Sequence, residues 1–174
     1  MGIGTIGYVI LSCPVSTVDS IFRTIDTSAD LMTSGHIIKV NPFLFTLPGT
    51  IIAGDLAKRP DLCVESDFPV PGYHGVSVRR NIKVFPEDRA ACALMAAYEE
   101  GIVPYESRVR EQTGVTHWIS EISTPTKLKY LYETAIRLGL KDRAAVAPRI
   151  HSLDAVVAKF SGEHAAEPAH ITFA

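Results

Sequence analysis

The stretch "TIIAGDLAKR" ends an apolar run with a carboxylate and two cations, Asp55, Lys58 and Arg59. A carboxylate held against an apolar wall is a candidate proton-transfer group, and a lysine three residues on could hold an anion or polarise a carbonyl oxygen. The same Asp55, next to Gly54, is equally at home as a turn former or a helix cap. His36, between Gly35 and Ile37, is the other acid-base candidate, since histidine is the side chain whose ordinary titration straddles neutrality. Its plain alternative is a ring bonded to a backbone carbonyl at a strand start. His74 with Arg79 and Arg80 could receive an anionic group, or could be solvated surface charge. His117-Trp118 could stack on a flat ring, or be an aromatic in the core beside a satisfied histidine.

Stronger chemical signatures are lacking. There is no Gly-rich phosphate loop, no H-E-x-x-H, no G-x-S-x-G and no His/Cys set with metal-ligand spacing. No metal is therefore expected. Cys13, Cys63 and Cys92 are odd in number and unpaired in spacing, which points away from a disulfide framework and toward a reducing, cytoplasmic setting. With 17 Lys plus Arg against 19 Asp plus Glu, the net charge of −2 gives no electrostatic reason to expect nucleic acid or an anionic membrane surface as partner. At 174 residues and 47% hydrophobic content, one domain with a sizeable core is expected over 1–161, with a loose tail over 162–174.

The elements that must position these groups follow from periodicity. "MGIGTIGYVILSCP" reads as a buried first strand, too short in its apolar run to span a bilayer. Val18, Ile21, Phe22, Ile25, Ala29 and Met32 fall at helical spacing, behind Ser16 and Asp19 as a capping pair. Residues 36 to 46 and 49 to 55 read as two strands of a hairpin turning at Pro48-Gly49. Residues 60 to 75, with three prolines, read as an irregular insertion outside the sheet, after which "VSVRRNIKVF" returns as a strand. A helix is expected from Pro86, at a first-turn position, to a stop at Gly101. "GVTHWISEIS" is expected as a strand. Next come a helix over "TPTKLKYLYETAIRLGL", with Leu128, Leu131, Tyr132, Ala135 and Leu138 on one face, and a last helix from near Ser152 with Leu153, Val156, Val157 and Phe160 inward. The order β-α-β-β-(β)-α-β-α with a further helix points to an α/β two-layer sandwich.

Several of these stretches together resemble the formaldehyde-activating enzyme family, small proteins that condense formaldehyde with a tetrahydromethanopterin-type carrier. The first half matches the family pattern at Ser16, Phe22, Pro42, Leu44, Pro48 and Thr50 without a gap. The second half matches it at Glu100, Gly101, Ile102, Val103 and Pro104, at His117-Trp118, and in "KYLYETA", Lys129 to Ala135. The resemblance implies that family's two-layer α/β fold, a homo-oligomeric ring and a tetrahydropterin-type carrier. The chain departs from the pattern where the family carries its chemistry. Ile6 and Tyr8 stand at the positions of the family's strand His and Asp, and Asp55 stands where the family has a cofactor-contacting lysine.

The combined expectation is a diverged, metal-free, lyase-type enzyme acting on a small carbonyl compound or a pterin-like ring. Asp55 and His36 would be its proton-transfer groups, with Tyr8, Lys58, His74 and Arg79 lining the ligand site. A non-catalytic oligomeric binding or structural protein that keeps the fold is the alternative.

Overall fold

The computed structural model describes residues 6–46, 50–66, 81–115 and 120–165. Strand β1 (Ile6–Ser12) leads into helix α1 (Val18–Thr33) and back through strand β2 (Ile37–Thr46). A short helix α2 (Ile51–Leu56), a single 3-10 turn (Pro60–Leu62) and strands β3 (Cys63–Ser66) and β4 (Asn81–Val84) follow. Three long helices complete the chain, α3 (Arg89–Thr113), α4 (Ser120–Arg137) and α5 (Arg143–Ala165). The result is a mixed α/β protein, mostly helical, with a sheet ordered β1-β2-β4-β3.

β1 and β2 are parallel, joined by α1, and β4 is antiparallel to both β2 and β3. The turn into α1 is held from inside. Ser16 is buried; its hydroxyl accepts from the Cys13 amide at 3.0 Å and donates to the Leu11 carbonyl at 3.1 Å. Thr17 and Ser20, rather than Ser16 and Asp19, form the capping box, each hydroxyl accepting from the other's backbone amide. Helix α1 buries Ile21, Phe22, Ile25, Ala29 and Met32, the face its spacing predicts. β1, however, buries only one side: Leu11 is in the core, while Ile6, Tyr8 and Ile10 are 51%, 70% and 50% exposed. Along β2 the inward set runs Ile38, Val40 and then Phe43, not residue 42. The alternation slips at Asn41-Pro42, where proline has no N–H to give to a ladder.

Helix α4 sits against β2, α1, α3 and α5. Its Thr124 hydroxyl donates to the Ile38 carbonyl of β2 at 2.7 Å, and Tyr132 donates to Asp26 of α1 while stacking 5.4 Å from Phe22. Four of the five residues expected on its inner face are buried; Leu138 lies beyond the helix and is exposed.

Five further expectations are overturned. Residues 51–56 are helical because Thr50 caps them, its hydroxyl accepting from the Ala53 amide at 3.2 Å, so β2's antiparallel partner is β4 and not a second hairpin strand. The 60–75 insertion is not wholly outside the sheet, since Cys63–Ser66 pair with β4. Residues 120–123 belong to α4 rather than to a strand, and the last helix starts at Arg143 and passes Gly162 to reach Ala165. Helix α3 begins three residues after Pro86, capped by Asp88, and runs through Gly101 to Gly114, whose φ of +66° closes it. Gly101 serves packing instead. Tyr130 of α4 lies directly on its backbone, stacked between Tyr98 at 5.8 Å and Tyr105 at 4.6 Å. The Pro48-Gly49 turn and His117-Trp118 fall outside the described residues.

Two predictions follow from this core. A Cβ at Gly101 would collide with the Tyr130 hydroxyl. Gly101→Ala should therefore lower the unfolding free energy in urea by about 1–3 kcal/mol, reversing the gain of roughly 1 kcal/mol that this change gives in an open helix. Adding Tyr130→Phe should restore part of the loss.

Burial pushes the phenols of Tyr98, Tyr105 and Tyr132 well above the ordinary tyrosine value; Asp26 adds to this at Tyr132 and Glu133 at Tyr105. Only the unfolded chain can then release these protons near pH ~10, so stability holds below that pH and falls as pH rises above it. In an alkaline titration, the phenolate absorbance of these three should appear together with loss of helical circular dichroism, not before it.

Candidate functional site: a groove at the start of β2

The C-terminal end of α1 makes a tight turn into β2. Gly35 adopts φ +90°, and the amide of His36 donates to the Leu31 carbonyl at 3.0 Å. Only glycine takes that backbone region readily, and it turns His36 out of the helix line at the mouth of a groove. The groove has a volume of about 340 Å³. Met32, Ile38, Val156 and Phe160 give it an apolar lining, and His36, Glu121 and Lys159 bring ionisable groups to it. A second hollow of about 240 Å³ lies on the other side of the same segment, between His36–Ile38, Leu31 and the Ile6-Gly7 start of β1. His36 thus lines both.

An acid-base side chain, a carboxylate and an ammonium around an apolar hollow can orient a small molecule by its polar end and move a proton at that end. Lys159 also lies 5.2 Å over the ring of Phe160, which keeps the ammonium beside the lining. Ser152 and Thr33 have their hydroxyl protons engaged by helix carbonyls, Pro148 at 3.0 Å and Asp30 at 2.9 Å, so toward a ligand they present oxygens that accept.

The structure does not bring the expected site residues together. Asp55 and Lys58 sit on the six-residue α2 as an i,i+3 pair 3.3 Å apart, with side chains 70% and 78% exposed. His36 precedes β2 and α2 follows it; ten strand residues at ~3.3 Å each put roughly 30 Å between the two candidates. They cannot act on one small substrate within a single chain. Arg59, the third charge of that stretch, is engaged by Asp61 and Glu87, each at 3.0 Å, a fork that raises its pKa further above the arginine range. Tyr8 projects from β1 with the Lys39 ammonium 5.7 Å over its ring, outside the groove. His74 and Arg79 fall outside the described residues.

Sequence reasoning missed Glu121, which it assigned to a strand, and Lys159. A signal for the latter was present: Ser152, Ala155, Val156, Lys159 and Phe160 recur at i, i+3, i+4, i+7 and i+8, one stripe of α5, and all five line the groove. Other polar clusters in the helical layer are paired off. Lys129 meets Asp154 at 2.6 Å, Arg149 bonds Asp30, and Lys83 bonds Glu99 beneath the ring of Phe43. The three cysteines are free thiols, and burial raises the pKa of Cys63.

Among the described residues, no three His, Cys, Asp or Glu side chains converge as metal ligands, and no helix is long and apolar enough to cross a membrane. Compared with known proteins, the chain matches no family model, no curated protein and no solved structure. Its function has to be read from its own geometry.

Exposed ion pairs contribute little, because water screens both charges. Asp55→Asn should accordingly change the unfolding free energy by less than about 0.5 kcal/mol and leave ligand binding unaltered. Chemical denaturation and ligand titration of the variant measure both.

Proposed function

We propose that the protein binds a small, largely apolar molecule bearing a carbonyl or carboxylate group in the groove at the start of β2. His36 transfers a proton there, and Lys159 faces the oxygen of the polar end. The carrying observation is that His36, on a glycine-set turn, lines two adjoining hollows of about 340 and 240 Å³ whose other walls are mostly apolar. Such volumes fall at or below the lower end of the range for small-molecule sites, so the ligand is a small carbonyl compound or a single ring system of pterin size. The resemblance to the formaldehyde-activating enzymes supports the same class, lyase-type chemistry on a small carbonyl compound with a tetrahydropterin-type carrier, on the two-layer α/β fold of that family. In this reading the proton-transfer role stays with His36 and leaves Asp55.

The second reading, a non-catalytic oligomeric protein, draws support from the exposed Ile6, Tyr8 and Ile10 of β1.

A melting-temperature screen against pterins, folates, small aldehydes and keto acids tests the first reading, since a ligand bound only by the native state raises the midpoint. Ala155→Trp, which fills the groove from an exposed position, should abolish the shift. Lys159→Met should weaken binding. His36→Gln should keep binding while lowering turnover by roughly 10²–10⁴-fold. Retained binding in Ala155→Trp would move the ligand out of this groove. Binding without turnover in the unsubstituted protein would favour the second reading.

A further inference from the structure

The two edges of the sheet are built differently. β3, at one edge, is four residues long and includes the acid Glu65, both features that discourage another strand from adding on. β1, at the other, is seven residues, IGYVILS, without a charge or a proline, and its first five residues pair in unbroken register with β2. Its far side carries a row of backbone donors and acceptors that no described strand pairs, and its outward side chains are Ile6, Tyr8 and Ile10. Long, uncharged, apolar edges are the ones that pair with another chain.

The order of the exposed residues selects that chain. Ile6, Tyr8 and Ile10 form a palindrome centred on Tyr8. In an antiparallel pairing about a two-fold axis at Tyr8, Ile6 of one copy faces Ile10 of the other on both sides of the axis, and Tyr8 faces Tyr8. Aromatic-aromatic and aliphatic cross-strand pairs are among the favourable ones on a sheet face. Among the described residues of β1 and β2, the charge beside this stripe is Lys39, directly across from Tyr8 in the β1-β2 register. In the paired sheet the two Lys39 residues would be three strand spacings, about 14 Å, apart. That exceeds the screening length of about 8 Å at physiological salt, so they do not oppose association.

We propose that β1 is the interface of a two-fold homodimer, in which β1 pairs antiparallel with β1 of a second copy into one continuous sheet. The partner is this chain itself, because the stripe is complementary to its own reverse. A closed dimer also removes the free edge, which an open, head-to-tail contact would leave at both ends.

Light scattering on the full chain at micromolar concentration should give twice the chain mass. Tyr8→Lys puts two like charges on the axis and should weaken association by at least about a hundredfold, with helical circular dichroism unchanged. Tyr8→Cys, oxidised gently, should form a disulfide joining position 8 of both copies, identified by peptide mass mapping; Val15→Cys, more exposed but off the strand, should not form its counterpart. If Tyr8→Lys fails to fold, the cross-link decides alone. A single-chain mass for the unsubstituted protein, a ring of more than two chains, a dimer indifferent to Tyr8→Lys, or no position-8 cross-link would each overturn the proposal.

Discussion

Helix α4 has almost no side that could face water, and the remaining elements are arranged to cover it. Ile122, Leu128, Tyr130, Leu131, Tyr132 and Ala135 are all buried, and so are Ser123, Thr124, Thr126 and Thr134. A helix buried around most of its circumference must be enclosed, and here the enclosure comes from β2, α1, α3 and α5. The buried hydroxyls are settled locally or across elements: Thr126 donates to the Ile122 carbonyl at 2.7 Å, and Thr124 reaches the Ile38 carbonyl at the same distance. Thr134 is the exception, with no hydrogen-bond partner for its hydroxyl among the described residues. Such a group costs about 1–3 kcal/mol, which the packing around it has to offset.

The groove is a by-product of that enclosure. α5 packs along α4 and α1, and the start of β2 leaves α1 through the Gly35 turn. Where these lines diverge, the stripe of α5 from Ser152 to Phe160 faces the end of α1, the His36 segment and Glu121 of α4, and the space between stays open. The ionisable groups at its mouth are therefore held by elements whose positions the core dictates, which is what a site needs if its geometry is to survive without a ligand.

Much of this was legible in the sequence wherever a single period governed a segment. The inward face of α1 and four of the five inner residues of α4 follow from 3.6-residue spacing alone. The failures share a cause. Gly101 looks like a helix stop, yet the ring of Tyr130 needs its bare backbone, and tertiary packing carries α3 past it. "TIIAG" looks like a strand by composition, and one hydroxyl, that of Thr50, makes it a helix. The site was half legible. His36, singled out for its chemistry, lines the groove, whereas Asp55 drew notice because its apolar neighbours suggested burial. Ile51 and Ile52 are in fact 84% and 54% exposed, so the carboxylate stands in water.

The side-chain bonds that fasten the C-terminal helices to the N-terminal half span long stretches of chain. Thr124 to Ile38 covers 86 residues, Tyr132 to Asp26 covers 106, and Arg149 to Asp30 covers 119. Synthesis proceeds from the N-terminus at roughly 5–20 residues per second, so β1, α1 and β2 leave the ribosome several seconds before α4 and α5 exist. During that interval Ile38, Val40 and Phe43 have α1 beside them but lack the cover that α4 supplies, and the uncharged edge of β1 is already synthesised. The nascent chain thus passes through a window in which its stickiest strand is complete and its lid is not.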